Sequence, residues 1–430
     1  MIFTRFASTK RTTSTLALAV ALATGGVVAT TALAAPAAAQ KKKDAEKPAK
    51  AAYTEAFIAA YSPAADLMKV QPVDVAAVRA LIPAMLAAVE SADDKHAAGS
   101  LVYSAGQAAQ DYALQLQGAE LMLESGRVPV ENQAQYNFLA GQLAYQTEDF
   151  TKARGYIERA VELGYTQNDP QALIAETYFA EDKYADGLTY LGQLIETKRA
   201  AGETVSEDWI KRALAIAYNN DLGAQARDFS VLYVTDYPTD TSWGDAIAIA
   251  LNTNRFEYPE ILDLLRLARR TKTFRDSNMY MEYIEAADPR KLPGEVVGII
   301  DEGYAAGMLE RTDSYVADAR ALAAARVKAD ERDLPALGRD ARASGAQLST
   351  VMAAGDAYLS YGRGAEAEEF YTKALGMTGV NTPLVLTRLG IAQLDQGKRA
   401  EAEATFNKVE GARQAIANLW RIYSSQQAGG

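Results

Sequence analysis

LTRLGIAQLDQGKRAEAEATFNKV, from Leu386 to Val409, decides how the rest of the chain reads. It splits into two apolar-periodic stretches around Gln396-Gly397-Lys398. Leu386, Leu389 and Gly390 share a helical face in the first, and Ala402 and Phe406 do so in the second. There is no His, Cys or Ser in the stretch. Its most constrained positions are small ones, Gly390 and Ala402. Helix axes come within about 8–10 Å only where small side chains cross. The smallness therefore predicts an α-hairpin clasped at Gly390 and Ala402, with Phe406 filling the space above.

The same frame recurs. Thirty-five residues upstream, Val351, Ala354, Gly355 and Tyr358 precede Ala367 and Tyr371. It appears at Ala140-Gly141 with Ala153 and Ile157, and 34 residues later at Ile174-Ala175 and Tyr178 with Gly187 and Leu191. A fifth copy fits Ala105-Gly106 with Gly118 and Met122. In all five the two anchors, 12 apart, are Gly or Ala. Gly, Asn, Asp or Pro breaks come every 12 to 18 residues, at Gly126, Asn168-Asp169-Pro170, Asn219-Asn220, Pro238, Pro293, Gly362 and Gly397. Short helices joined by short connections predict antiparallel hairpins. Pro83 predicts a kink or break in the helical stretch around Val75–Met85.

On these residues the chain resembles the tetratricopeptide repeat (TPR) proteins, whose unit of about 34 residues reads W-x2-L-G-x2-Y, then A-x3-F, then P. Leu386-x2-Leu389-Gly390 with Ala402-x3-Phe406, and Val351-x2-Ala354-Gly355-x2-Tyr358 with Ala367-x3-Tyr371, carry the match. No unit has the leading Trp, and the closing Pro is mostly missing. The resemblance implies an all-α fold, a right-handed α-α superhelix of about ten helix hairpins. It also implies that the first helices of successive hairpins line a concave groove. Carried onto this sequence, the groove residues are Tyr103, Gln107, Gln110, Phe138, Gln142, Tyr145, Glu176 and Phe179. Aromatics and amides in that arrangement suit a protein partner presenting an extended peptide, with a polysaccharide strand as a second class. The Lys/Asn set by which chaperone-binding relatives clamp a C-terminal carboxylate is missing. No cofactor is implied.

The repeats divide the chain. Residues 1–39 read as a signal peptide, 40–52 as a Lys-, Ala- and Pro-rich flexible linker, and 53–99 as N-terminal helices. TPR-like repeats follow at 100–204 and 346–410, separated by degenerate helical repeats at 205–345. Residues 411–430 form a C-terminal capping helix and tail. In that helix Ile416, Leu419, Trp420 and Tyr423 make one apolar stripe, with Arg413, Gln414, Asn418 and Arg421 off it. An array needs such a helix because its last unit has no neighbour.

The leader reading rests on Arg5, Lys10 and Arg11 before the run LALAVALATGGVVATTALAA and the exit Ala37-Ala38-Ala39. Cleavage is placed after Ala39, with Ala32-Leu33-Ala34 as an alternative. An uncleaved anchor is the competitor, weakened by Gly25-Gly26 and several threonines. The product is expected beyond the inner membrane, in the periplasm of a Gram-negative bacterium, without stable membrane insertion after cleavage. Removing the three basic residues of the leader leaves 41 basic against 55 acidic residues, a charge of −14. Such a surface disfavours nucleic acid. With no Cys, the chain has no disulfide, thiol nucleophile or thiolate zinc site.

Conventional catalytic patterns are scarce. His96 is the only histidine, and it lies beside Asp93 and Asp94 in SADDKHAAG, read as a solvated helix connection. Leu123-Glu124-Ser125-Gly126 resembles the Glu-Ser pair of lytic transglycosylases without their following Gly-Leu-Met-Gln, and reads equally as a helix end capped by Gly. Glu366, Glu368 and Glu369 read as a solvated helix face. The expectation is a non-catalytic scaffold for protein–protein interaction in the cell envelope. A binding module for cell-wall or exported polysaccharide, or a cryptic glycan-cleaving enzyme, are the alternatives.

Overall fold

The computed structural model describes residues 51–427, and these are helical throughout, with no strand among them. The predicted leader and nearly all of the linker lie outside the described residues. The front hairpins are α1 (Glu55–Met68) with α2 (Val75–Ala87), α3 (Ala92–Ala109) with α4 (Tyr112–Glu124), α5 (Val130–Gln146) with α6 (Phe150–Glu162), and α7 (Pro170–Ala180) with α8 (Tyr184–Ala200). Then come α9 (Glu207–Asn219) with α10 (Gly223–Asp236), α11 (Asp240–Thr253) with α12 (Tyr258–Thr271), and α13 (Ser277–Ala287) with α14 (Pro293–Ala305). A single long helix, α15 (Ser314–Arg342), interrupts the pairing. After it follow α16 (Leu348–Ser360) with α17 (Gly364–Leu375), α18 (Thr382–Asp395) with α19 (Arg399–Phe406), and α20 (Gln414–Gln426). Each helix packs on the one before and the one after it, which makes the array a TPR-like solenoid.

Local chemistry starts and stops these helices. Asp74, Asp111, Asp149, Asp169, Asp276 and Asp313 each accept a backbone N–H in the first turn of the helix they precede. Ser91 and Asp94 form a reciprocal capping box at α3. The turns closing α16 and α18 place Gly362 and Gly397 at φ 69° and 75°, where a side chain would be strained. Every predicted break coincides with a helix boundary. Pro83 is different: α2 runs through it without a break.

In four of the five units a small anchor lies where the two helices of the hairpin meet, and at Gly141 it faces its partner anchor. A Cβ on Gly141 would lie 2.5 Å from Ile157 Cγ1 and 3.2 Å from the Ala153 carbonyl oxygen, so positions 141 and 153 face one another. On Gly355 it would meet the Tyr371 ring at 2.7 Å, on Gly390 the Phe406 ring, and on Gly187 the Phe179 ring at 2.5 Å. In these units the small residue makes room chiefly for a large side chain from the other helix of the hairpin. The unit at Gly106 departs from the frame. Gly106 packs on the Gln115 backbone at 2.6 Å, whereas Gly118 lies against Gly99 and Tyr103. The α3–α4 crossing is thus a backbone-on-backbone contact between Gly99 and Gly118, seven residues earlier than the frame places it.

Two features of the back half were not expected. In place of a hairpin, α15 runs for 29 residues, buried at Val316, Ala319 and Ala323 and again at Leu334, Gly338 and Ala341. The turns between are mostly exposed, tied at one point where the Tyr361 hydroxyl donates to Asp330 at 2.9 Å. The second feature is that α12 packs on α18 and α20, and α11 on α20. The terminal helix is therefore internal. Its buried side is wider than a single stripe and includes Ile416, Ala417, Leu419, Trp420 and Ile422. The Trp420 indole donates to the Asp263 carbonyl at 2.9 Å, and Gln426 reaches the Val234 carbonyl at 2.8 Å.

The core follows this division. The front helices enclose three separate clusters, from Phe57 to Ala105, Leu116 to Ile174 and Ala175 to Ile249. From Val234 to Ile422 the buried side chains form one continuous cluster.

Candidate functional site

The first helices of three successive hairpins, α3, α5 and α7, carry or border the residues expected to meet a partner. Tyr103 is half-buried on α3, and its hydroxyl accepts from exposed Gln107 one turn on, at 3.3 Å. Gln142 and Tyr145 lie one turn apart on α5, both partly exposed. Glu176 on α7 is held by Arg212 of α9 in a two-pronged ion pair, Nε to Oε1 at 2.7 Å and Nη2 to Oε2 at 2.7 Å. Burial, then the nearby Glu176 carboxylate, push the Tyr145 phenol up, with Arg212 acting the other way. Tyr145, Glu176 and Arg212 therefore form one group across three repeats.

The other expected residues are placed differently. Phe138 is 3% exposed and stacks on Tyr165 with centroids 4.4 Å apart. Phe179 is buried beside Gly187, with the Arg212 guanidinium 5.8 Å above its ring. Both are core side chains, consistent with their size and the narrow space between repeats. Gln110 is exposed, but it occupies the left-handed residue that ends α3, at φ 54°. Thus Tyr103 with Gln107, and Tyr145 with Glu176, are brought together, while Phe138 and Gln110 stand apart from them.

A second concentration of charge lies in the back half, along α12. Asp263 is fully buried and accepts from three guanidiniums: Arg266 at 2.9 Å, Arg388 at 3.1 Å and Arg413 at 2.7 Å. Burial alone would raise its carboxyl, but Arg388, Arg413 and Arg266 outweigh it and hold Asp263 below the usual carboxylate range. Arg266 also forks onto Glu295 at 2.8 and 2.7 Å, and the Tyr283 hydroxyl donates to the same carboxylate. Arg388 continues to Asp356 at 2.7 Å, which also accepts from Tyr371 at 2.7 Å. Beside this network is a cavity of about 280 Å³, lined by Arg266, Arg269, Arg270, Tyr283, Glu295 and Asp395 with Leu359, Ser360, Gly362 and Ile391.

The remaining candidates are explained by local structure. His96 and its acidic neighbours stand in the first turns of α3 and do not form a connection between helices. Asp94 is buried and accepts from Thr54, Glu90 and Ser91, fastening the start of the described chain to this helix. Glu124 is the last residue of α4, 61% exposed at its side chain and paired with Lys95 at 3.4 Å. A general acid needs a secluded carboxyl, and this one faces solvent. Glu368 and Glu369 are not a free solvated face. Glu368 accepts from Gln393, Gln396 and Lys398, and Glu369 accepts a fork from Arg342. Among the described residues, no three His, Asp or Glu side chains are grouped so as to hold a metal ion.

Sequence reading missed Arg212 and the whole Asp263 network. Arg388 lies inside the stretch that opened the sequence analysis, between Leu386 and Leu389 and among buried residues on every side of α18. A charged residue in an apolar run was the available signal, and Asp263 and Arg266 give it again in Leu262–Leu267.

No family model matches the sequence, and no curated protein matches it. Among solved structures the chain is similar to one in the crystal structure of the APC/C hetero-tetramer Cut9-Hcn1. That likeness is 12% identity over 78% of this chain and 70% of that chain, with a TM-score of 0.23.

Proposed function

We propose that this protein is a non-catalytic scaffold, exported to the periplasm, that binds another cell-envelope protein on the first-helix face of its front repeats. The observation that carries the reading is the Tyr145–Glu176–Arg212 group. Three successive repeats contribute one side chain each to a partly exposed patch with aromatic, acidic and basic character. An extended peptide crossing the repeats would meet all three, and a preformed surface loses little order on binding. Export rests on the charged-then-apolar leader. No described helix is long and apolar enough to cross a membrane.

The test is photo-crosslinking in intact cells from a probe at Gln107, Gln142 or Tyr145, with exposed Val130 as the control site. Capture of the same protein from the face positions, abolished by the double change Glu176→Ala and Arg212→Ala, supports the reading. Capture from Val130 alone, or from none of the face positions, overturns it. Binding of purified peptidoglycan by the same face, lost in the same double variant, would instead make the partner a glycan.

A further inference from the structure

The starts of α12 and α15 meet the exposed side of α13 in one surface patch. Tyr258, the first residue of α12, is 55% exposed, and Tyr315, in the first turn of α15, is 43% exposed. Both phenols approach one carboxylate, Glu285 of α13. Tyr258 donates to Glu285 Oε2 at 3.3 Å. The Tyr315 phenol is pushed up to about 12, by burial first, then by Glu285 and by Tyr258. Leu322, 36% exposed, stands seven residues further along the same face of α15. Tyrosine is enriched where proteins meet, because its ring supplies contact area at small entropic cost.

The patch is acidic and carries no counter-charge of its own. Glu282 lies one turn before Glu285 on α13, and Asp318 one turn after Tyr315 on α15, both exposed. None of these three carboxylates enters an ion pair among the described residues. On the flanking segments Arg275, Lys291 and Arg320 are taken by Asp245, Asp288 and Asp301. Glu282 is pushed up by partial burial, then by Asp276 and Glu285, with no cation opposing them. An incoming cation relieves a carboxylate held partly out of water among like charges. The rings favour the same ligand, because the face of a tyrosine attracts a guanidinium. Elsewhere the chain uses that contact itself: Arg154, Arg311 and Arg363 sit 4.2, 4.4 and 4.6 Å over Tyr178, Tyr304 and Tyr358. Among the described residues, no arginine or lysine covers Tyr258 or Tyr315 in this way.

We propose that this patch docks a basic segment of a partner protein, whose arginine or lysine side chain lies against Tyr258 and Tyr315 within reach of Glu282 and Glu285. Arginine fits better than lysine, since its plane stacks on a ring while its edge forks onto a carboxylate. Leu322 then meets an apolar neighbour of the cation. The patch shares no helix with the face formed by α3, α5, α7 and α9, and it stands whether or not that face binds a protein.

The test uses the purified chain and a fluorescent peptide of alternating Gly and Arg, with the matching Gly and citrulline peptide as neutral control, followed by anisotropy. A saturable rise with the arginine peptide and none with citrulline is expected. Tyr258→Ala with Tyr315→Ala should weaken binding at least about tenfold, and so should Glu282→Gln with Glu285→Gln. Glu55→Gln with Glu196→Gln, which removes the same charge from exposed front positions, should change it less than about twofold. Tyr258→Phe with Tyr315→Phe keeps both rings and should retain binding, which separates loss of the ring faces from loss of folding. No saturable rise up to millimolar peptide, an equal response to citrulline, or an equal loss in the Glu55 and Glu196 pair overturns the proposal.

Discussion

The front and back halves of this chain use the same hairpin and stabilise it differently. In the front, each hairpin rests on its neighbours, and the core comes in three separate parcels. In the back, α12, α18 and α20 meet around a buried carboxylate, and one core runs from Val234 to Ile422. The difference shows that repeat spacing does not by itself set cooperativity. A stack of nearest-neighbour contacts can open unit by unit, whereas a buried network linking distant helices fails as a whole.

The largest expected effect comes from removing the carboxylate at the centre of that network. Asp263→Ala leaves three buried guanidiniums without their shared partner and should cost about 3–5 kcal/mol. Hydrogen exchange should then rise together in α12, α18 and α20 while α3 to α8 keep their protection. Equal loss of protection in the front helices would break the comparison.

Acid should act on the same centre. Asp263 and Glu295 both lie below their ordinary values of 3.8 and 4.5, because neighbouring arginines outweigh burial. Carboxyls depressed in the folded state add stability above those values and lose it as pH falls through the lower folded ones. Trp243 and Trp420 are buried in this half. Their emission should change in one cooperative step below about pH 4, and a gradual drift beginning near neutrality would count against a shared network.

The front half is sensitive to the backbone instead. Gly118→Ala would set a methyl against the main chain of Tyr103 and Gly99, which cannot rotate away. It should cost roughly 1–3 kcal/mol, with exchange rising in α3 and α4 first. Gly390→Ala first meets the Phe406 ring, a side chain and not backbone, and chemical denaturation should show a smaller loss. At the bottom of the scale, exposed Gly155 within α6 has nothing within 4 Å of an added Cβ. Gly155→Ala should raise stability by about 0.5–1 kcal/mol; a loss would mean that the α6 surface is already covered.

These contrasts also mark what could be read from the sequence. Helix ends at Asp169, Gly362 and Gly397, and the facing of Gly141 with Ala153, follow from spacings of a few residues, and local chemistry settles them. The pairing of Asp263 with Arg388 and Arg413 spans 125 and 150 positions. Nothing in the periodicity of α12 names the partners of its charged residues. The same limit applies to the front face. Tyr145 and Glu176 were legible from repeat register, but Arg212 came from a helix whose unit had drifted out of that register. Phe138 and Phe179 were assigned to the groove because register fixes the helix face only coarsely; both rings are buried instead, Phe179 against Gly187 of its own hairpin.

The distance between Asp263 and Arg413 has a consequence for the chain as it is made. Hairpins at the front have their partners within reach soon after they emerge, and can fold in order from the N-terminal end. Asp263 must wait for a residue 150 positions later, roughly 8 to 30 seconds at ordinary elongation rates. For that interval an acidic side chain destined for the interior sits in water beside a half-built apolar surface, because the helices that cover α12 are the last to arrive.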